Sequence, residues 1–207
     1  MKHKKLLWIA GVLTLIIVVL FVCNFVGKEN TKSTKALLPA DEKISEKLGS
    51  DFGELYNKIL SIVTNDRKLE ERDTAQEYII VNDESFLGIE YINIKVFADG
   101  TGEIIHKFYK NGLLGNGEFT IDETFTLKEE QVAQVVKVFE DNNFWEIPSQ
   151  HPEGRFGLDG NVIFIEGINE NQYNIIHMWC PDEKYEIKKI YDAIFSFVDV
   201  CRSVNKQ

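Results

Sequence analysis

Asn143 to Pro181 reads NFWEIPSQHPEGRFGLDGNVIFIEGINENQYNIIHMWCP, and it holds two of the chain's three Trp and three of its four Pro. Asp159-Gly160 and Glu166-Gly167 punctuate it. The runs Asn161 to Glu166 and Gln172 to Trp179 are short and rich in β-branched and aromatic residues, and Ile168-Asn169-Glu170-Asn171 separates them. That layout predicts a β-hairpin. A turn at Asn169-Glu170 sets Glu166 across from Tyr173, Phe164 across from Ile175 and Val162 across from His177. All of these share one face, and Trp179 continues it.

Helical patterns flank the hairpin. Thr126 and Glu129 have the spacing of a capping box. Val132, Val135, Val136 and Phe139 follow at i, i+3, i+4 and i+7, a single apolar stripe. Past the hairpin, Pro181-Asp182 is placed to cap a last helix, with Ile187, Ile190, Tyr191, Ile194, Val198 and Cys201 on its buried side.

Upstream, Glu77 to Val81 is a short strand, and Leu87 to Phe97 alternates Ile92, Ile94 and Val96 against Tyr91, Asn93 and Lys95. Asp99-Gly100 tolerates the backbone angles of a hairpin turn and leads into Glu103 to Tyr109. Phe119, Ile121 and Phe125 mark another strand. Strands and helices segregated in this way indicate an α+β fold, with an antiparallel sheet of about five to seven strands packed by two or three helices over residues 75–203. Residues 41–66 form an amphipathic helical segment with Leu48, Phe52, Leu55, Ile59 and Ile62 at 4-3-4-3 spacing. Gly49 and Gly53 interrupt it, so packing onto the domain is favoured over a free coiled coil.

The N-terminus is of another kind. Leu6 to Val26 is uncharged and apolar, broken only by Gly11, Thr14 and Asn24, and Lys2, Lys4 and Lys5 precede it. Twenty-one helical residues span roughly 30 Å, the thickness of a bilayer's hydrocarbon core. The run is longer than the core of a cleaved signal peptide and ends without an A-x-A site. Cys23 raises processing as a lipoprotein, but Val22 stands where a lipobox takes a small residue. The expectation is a signal anchor over residues 1–27, single-pass in a bacterial cell membrane through residues 6–26, then a flexible polar tether over 28–40. The basic tail favours an extracytoplasmic position for the bulk of the chain.

Charge excludes one class of partner. Residues 1–36 carry six Lys and one Glu, so the chain's net charge of −10 leaves −15 for residues 37–207. Such a surface repels phosphate backbones, and nucleic-acid binding is not expected. Cys180 ends a strand and Cys201 lies near the end of the last helix, too far apart for a disulfide, and they read as two separate buried thiols. No C-x-x-C or His-x-x-x-His spacing suggests a metal, and no phosphate loop or nucleophile motif suggests a cofactor or covalent catalysis.

Phe144-Trp145, Pro148, Gly157-x-Asp159-Gly160, Glu166-Gly167, Tyr173, Trp179 and Pro181 together resemble the pattern of a family of uncharacterised bacterial proteins that often carry an N-terminal export or membrane segment. The likeness spans residues 125–200. It departs where Ile163 or Phe164 replaces a Trp and where Asn174 follows Tyr173 in place of His. The resemblance implies a fold unit and no particular reaction.

Two functions follow from these readings. The first is a membrane-anchored, non-catalytic interaction module with a protein or envelope partner. The alternative is a cell-envelope hydrolase or glycan-binding enzyme using Glu166 and His177 as acid and base, with Asp159 nearby and Trp179, Tyr173 and Arg155 for binding. Plain roles weigh more for most of these residues: Asp159 holding a turn, Glu166 paired with Arg155, a Lys or a backbone N–H, His177 as a satisfied or exposed side chain, and Trp179, like Trp145, in the core.

Overall fold

The computed structural model describes residues 41–64, 74–111, 117–150 and 159–205. The anchor, the tether, Arg155 and Gly157 lie outside the described residues. Six strands run β1 (Thr74–Glu84), β2 (Gly88–Phe97), β3 (Gly102–Lys110), β4 (Phe119–Leu127), β5 (Asn161–Asn169) and β6 (Tyr173–Trp179). Among the described residues four helices accompany them, α1 (Asp41–Leu48), α2 (Ser50–Val63), α3 (Glu129–Asp141) and α4 (Glu186–Asn205), with one 3₁₀ turn at Phe144–Glu146. The strands form one antiparallel sheet in the order β4-β3-β2-β1-β5-β6. The α+β class and the strand number agree with the sequence pattern. Among the described residues no helix is long and apolar enough to cross a membrane.

Alternation along the strands builds two cores. Tyr78, Ile80, Ile92, Ile94, Ile104, Ile163, Ile165 and Ile176 face α3 and α4, where Val132, Val135, Phe139, Ile187, Ile190, Ile194 and Val198 meet them. Ile79, Val81, Ile89, Tyr91, Val162, Phe164 and Ile175 face the other way, onto Ile44, Leu48, Tyr56, Ile59, Leu60 and Val63 of α1 and α2. Both faces of the central strands are therefore covered, and each large side chain fully buried contributes about 1.5–3 kcal/mol.

Local details differ from the sequence reading, each for a physical reason. The buried stripe of α2 is Tyr56, Ile59, Leu60 and Val63, while Leu55 and Ile62 flank it half-buried. Thr126 does not cap α3: it pairs with Glu103 as β4 runs on to Leu127 opposite Gly102, so the ladder claims it first. The helix starts at Glu129 instead, where the Gln131 side chain accepts the Lys128 backbone N–H at 3.0 Å. Asp182 holds a turn ahead of α4, accepting the N–H of Lys184 on its side chain at 3.2 Å and that of Tyr185 on its carbonyl at 3.1 Å. Cys201 is buried, but Cys180 is exposed, and both thiols are free.

The β5–β6 register is offset by two residues from the expected one. Glu166 stands across from Ile175, Phe164 from His177 and Val162 from Trp179. The Asn169 side chain accepts the N–H groups of Asn171 and Gln172 at 2.9 and 2.8 Å, which places Glu170-Asn171 at the loop's centre. An offset of two preserves the face of every side chain.

Candidate functional site

Glu166 sits among apolar residues of β5, on the face that also carries Val162 and Phe164. It is 1% exposed. The helix above it is α2, not the final helix, which packs on the opposite face. One turn apart on α2, Phe52 and Tyr56 both reach Phe164, with ring centroids 6.4 and 5.1 Å away. The Tyr56 hydroxyl donates to one Glu166 carboxylate oxygen at 2.8 Å, and the Tyr173 hydroxyl donates to the other at 3.1 Å. Burial pushes the Tyr173 phenol far above its ordinary range, and the Glu166 charge and hydrogen bond push it further. The carboxylate thus accepts from two phenols, while Arg155, an expected partner, lies outside the described residues. A carboxylate under a helix, with each oxygen taking a phenolic hydrogen, pins that helix to the sheet.

His177 shares the face but belongs to a different contact. Its Nδ1 lies 3.1 Å from the Ser149 carbonyl, so Nδ1 carries the proton. Its ring lies 3.9 Å from Phe52 and 5.8 Å from Phe164, centroid to centroid. Burial lowers its pKa, and the Ser149 carbonyl acts in the opposite direction. Gln150 forms a bridge beside His177 and donates to the Lys47 carbonyl at 3.2 Å, and the Lys47 ammonium lies 5.7 Å from the Tyr173 ring centroid. This group of contacts ties the α1–α2 junction to the β6 edge. The structure thus unites Glu166 with Tyr173, places His177 against Phe52 and Ser149, and leaves Asp159 exposed in a bend.

The conspicuous glycines follow from packing. A Cβ on Gly167 would come 2.5 Å from Phe144 and 3.0 Å from Tyr78, because the Phe144–Trp145 turn folds its aromatics onto that strand. Asn174 fastens the same turn, donating to the carbonyls of Phe144 at 2.8 Å and Ile147 at 3.0 Å. Gly160 has φ of 133°, and a Cβ there would meet the Cys180 sulfur at 2.3 Å and the Trp179 ring at 3.2 Å. Trp179 is half-buried against this backbone. The aromatic and glycine signature is therefore a set of close contacts. Gly167→Val should cost about 1–3 kcal/mol by overpacking, read in urea titration, and an unchanged midpoint would refute the contact.

Among the described residues the largest polar assembly lies on the opposite face, and apolar patterning does not mark it. Asn161, Asn82, Glu90, His106 and Glu123 sit one to a strand, from β5 through β1, β2 and β3 to β4. Asn161 donates to Asn82 at 2.8 Å, and Asn82 donates to the Tyr191 hydroxyl at 3.1 Å. Tyr191 donates to Glu90 at 2.5 Å, and His106 Nε2 contacts the other Glu90 oxygen at 2.9 Å. Arg202 then places Nη2 at His106 Nδ1, 2.7 Å, Nε at Glu123, 2.7 Å, and Nη1 at Asp199, 2.6 Å. Because guanidinium only donates, Nδ1 of His106 accepts, and Nε2–H donates to Glu90. His106 is 1% exposed and Glu90 8%. Burial, then the Glu90 charge, raises the Tyr191 phenol far above its usual range. Phase was the available signal: Glu90 alternates with Ile92 and Ile94, and His106 with Ile104, so both interrupt the apolar face.

Among the described residues no group of three or more His, Cys, Asp or Glu could hold a metal ion. No family model matches the chain, and no curated protein matches it.

Proposed function

We propose that the chain is a membrane-anchored, extracytoplasmic interaction module that holds a basic partner on its acidic surface, within the family its aromatic and glycine pattern resembles. The charge carries this reading: residues 37–207 are −15 net. Exposed carboxylates lie on many elements, including Glu46, Asp51 and Glu54 on the first two helices, Glu118 just before β4 and Asp122 on it, and Glu129, Glu130 and Glu140 on α3. The candidate chemical groups support it from another side. Glu166 and Glu90, the carboxylates set among apolar side chains, have their oxygens engaged in joining helices to the sheet.

Association through such a surface weakens as salt shortens the Debye length from about 14 Å at 50 mM to about 4 Å at 500 mM. Full-length chain purified in zwitterionic detergent and immobilised should recover a basic protein from envelope extract at the lower salt and release it at the higher. Recovery that ignores salt, or no recovery, would sink the reading.

A further inference from the structure

Phe86 and Leu87 are 72% and 59% exposed at the turn between β1 and β2. A scattered surface hydrophobe needs no explanation, but these two are adjacent and held in place. Leu87 N–H donates to the Glu84 carbonyl at 3.0 Å, closing the turn. Ser85 anchors it from beneath, donating to the Gly160 carbonyl through its N–H at 3.1 Å and its hydroxyl at 2.8 Å. Asn111 N–H donates to the Leu87 carbonyl at 3.2 Å. Nothing in a β-turn calls for Phe or Leu, since turns favour Gly, Asn, Asp and Ser at such positions. A rigid mount lowers the ordering cost of binding, as preorganised contact residues do.

The surroundings indicate the kind of occupant. Glu84 belongs to the turn. Asp159 precedes the Gly160 that anchors it. Glu118 accepts the Lys110 N–H on its carbonyl, beside Gly88, at 2.9 Å. Among the described residues at this turn, all three carboxylates are exposed, against one exposed cation at Lys110. An apolar pair within an acidic rim disfavours an anionic membrane and a second copy of an equally acidic domain, and it favours a basic protein surface with an apolar recess.

We propose that the β1–β2 turn, with Phe86 and Leu87 held out among Glu84, Asp159 and Glu118, is the docking knob for a basic polypeptide partner. This rests on the interaction-module reading and locates its contact. The test uses full-length chain in zwitterionic detergent and two labelled 12-residue peptides, each with six Arg. One has Ser at the other six positions; the second replaces two central Ser by Leu-Leu. Anisotropy at low salt should show the Leu-Leu peptide binding about tenfold more tightly, as expected for burying apolar side chains.

That preference should vanish in Phe86→Ser/Leu87→Ser and persist in Val200→Ser/Val204→Ser, which are the other exposed large hydrophobics among the described residues, 59% and 66% exposed. Phe86→Gln alone serves as a milder variant should the double one fail to fold. Equal affinity for both peptides, or a preference that survives the Phe86→Ser/Leu87→Ser change, overturns the knob while leaving the acidic module intact. Loss in both double variants, or knob-dependent binding to phosphatidylglycerol vesicles, overturns it as well. If neither peptide binds, the interaction-module reading fails and the knob with it.

Discussion

Glu90→Ala should lower the stability of the fold by about 3–5 kcal/mol, because it removes two buried hydrogen bonds to a charged group, each worth about 1.5–3 kcal/mol. For a chain of this size that is a fall of roughly 10 °C in melting temperature. The substitution leaves His106 Nε2–H and the Tyr191 hydroxyl without their shared acceptor in a setting where His106 is almost fully buried. Glu123→Ala acts at the half-exposed rim of the same assembly and should cost about 1 kcal/mol or less. Hydrogen exchange adds a spatial readout. Because Tyr191 and Arg202 hold α4 to the sheet, Glu90→Ala should speed exchange along α4 well before it does so in β1. A loss near 1 kcal/mol, with α4 protection intact, would show that apolar packing alone holds this helix.

The assembly also explains where sequence reading stopped. Apolar periodicity finds faces, and it found both faces of β2, the stripe of α3 and that of α4. It does not register a polar residue in phase with a core. Glu90 and His106 are satisfied only by partners from another strand and from α4, 101 and 96 positions away in the chain for Tyr191 and Arg202. Tyr56 escaped for a related reason: its phenol points to a carboxylate 110 residues on, so a count of purely apolar residues rotated the α2 stripe away from it. The hairpin register slipped because the Asn169 side chain, rather than the pair Asn169-Glu170, defines the loop. Thr126 shows competition between local and distant bonding: a cap was available, and strand pairing with β3 took precedence. The face of Glu166, Tyr173 and His177 was legible because strand parity survives a slip of two. What covered that face was not, since α2 lies about 110 residues upstream of Glu166 and only the fold brings it there.

Tyr56→Ala should be the other most damaging single change, at about 3–5 kcal/mol, since it deletes a fully buried aromatic and opens a cavity against Phe164. Tyr56→Phe keeps the ring and removes only the hydroxyl. Its expected cost, about 1.5–3 kcal/mol, is that of a hydrogen bond to a charged group. The two variants therefore separate packing from the pin. Alkaline titration tests the same site by charge. The folded-state pKa of Tyr173 is raised above its ordinary 10.0, by burial first and then by Glu166. Its contribution to stability is therefore complete below pH 10 and declines as pH rises beyond it. Glu166→Gln removes the charge but not the burial, so the decline should persist with a shallower total loss. A slope unchanged by Glu166→Gln would mean that the carboxylate and the Tyr173 phenol are not coupled.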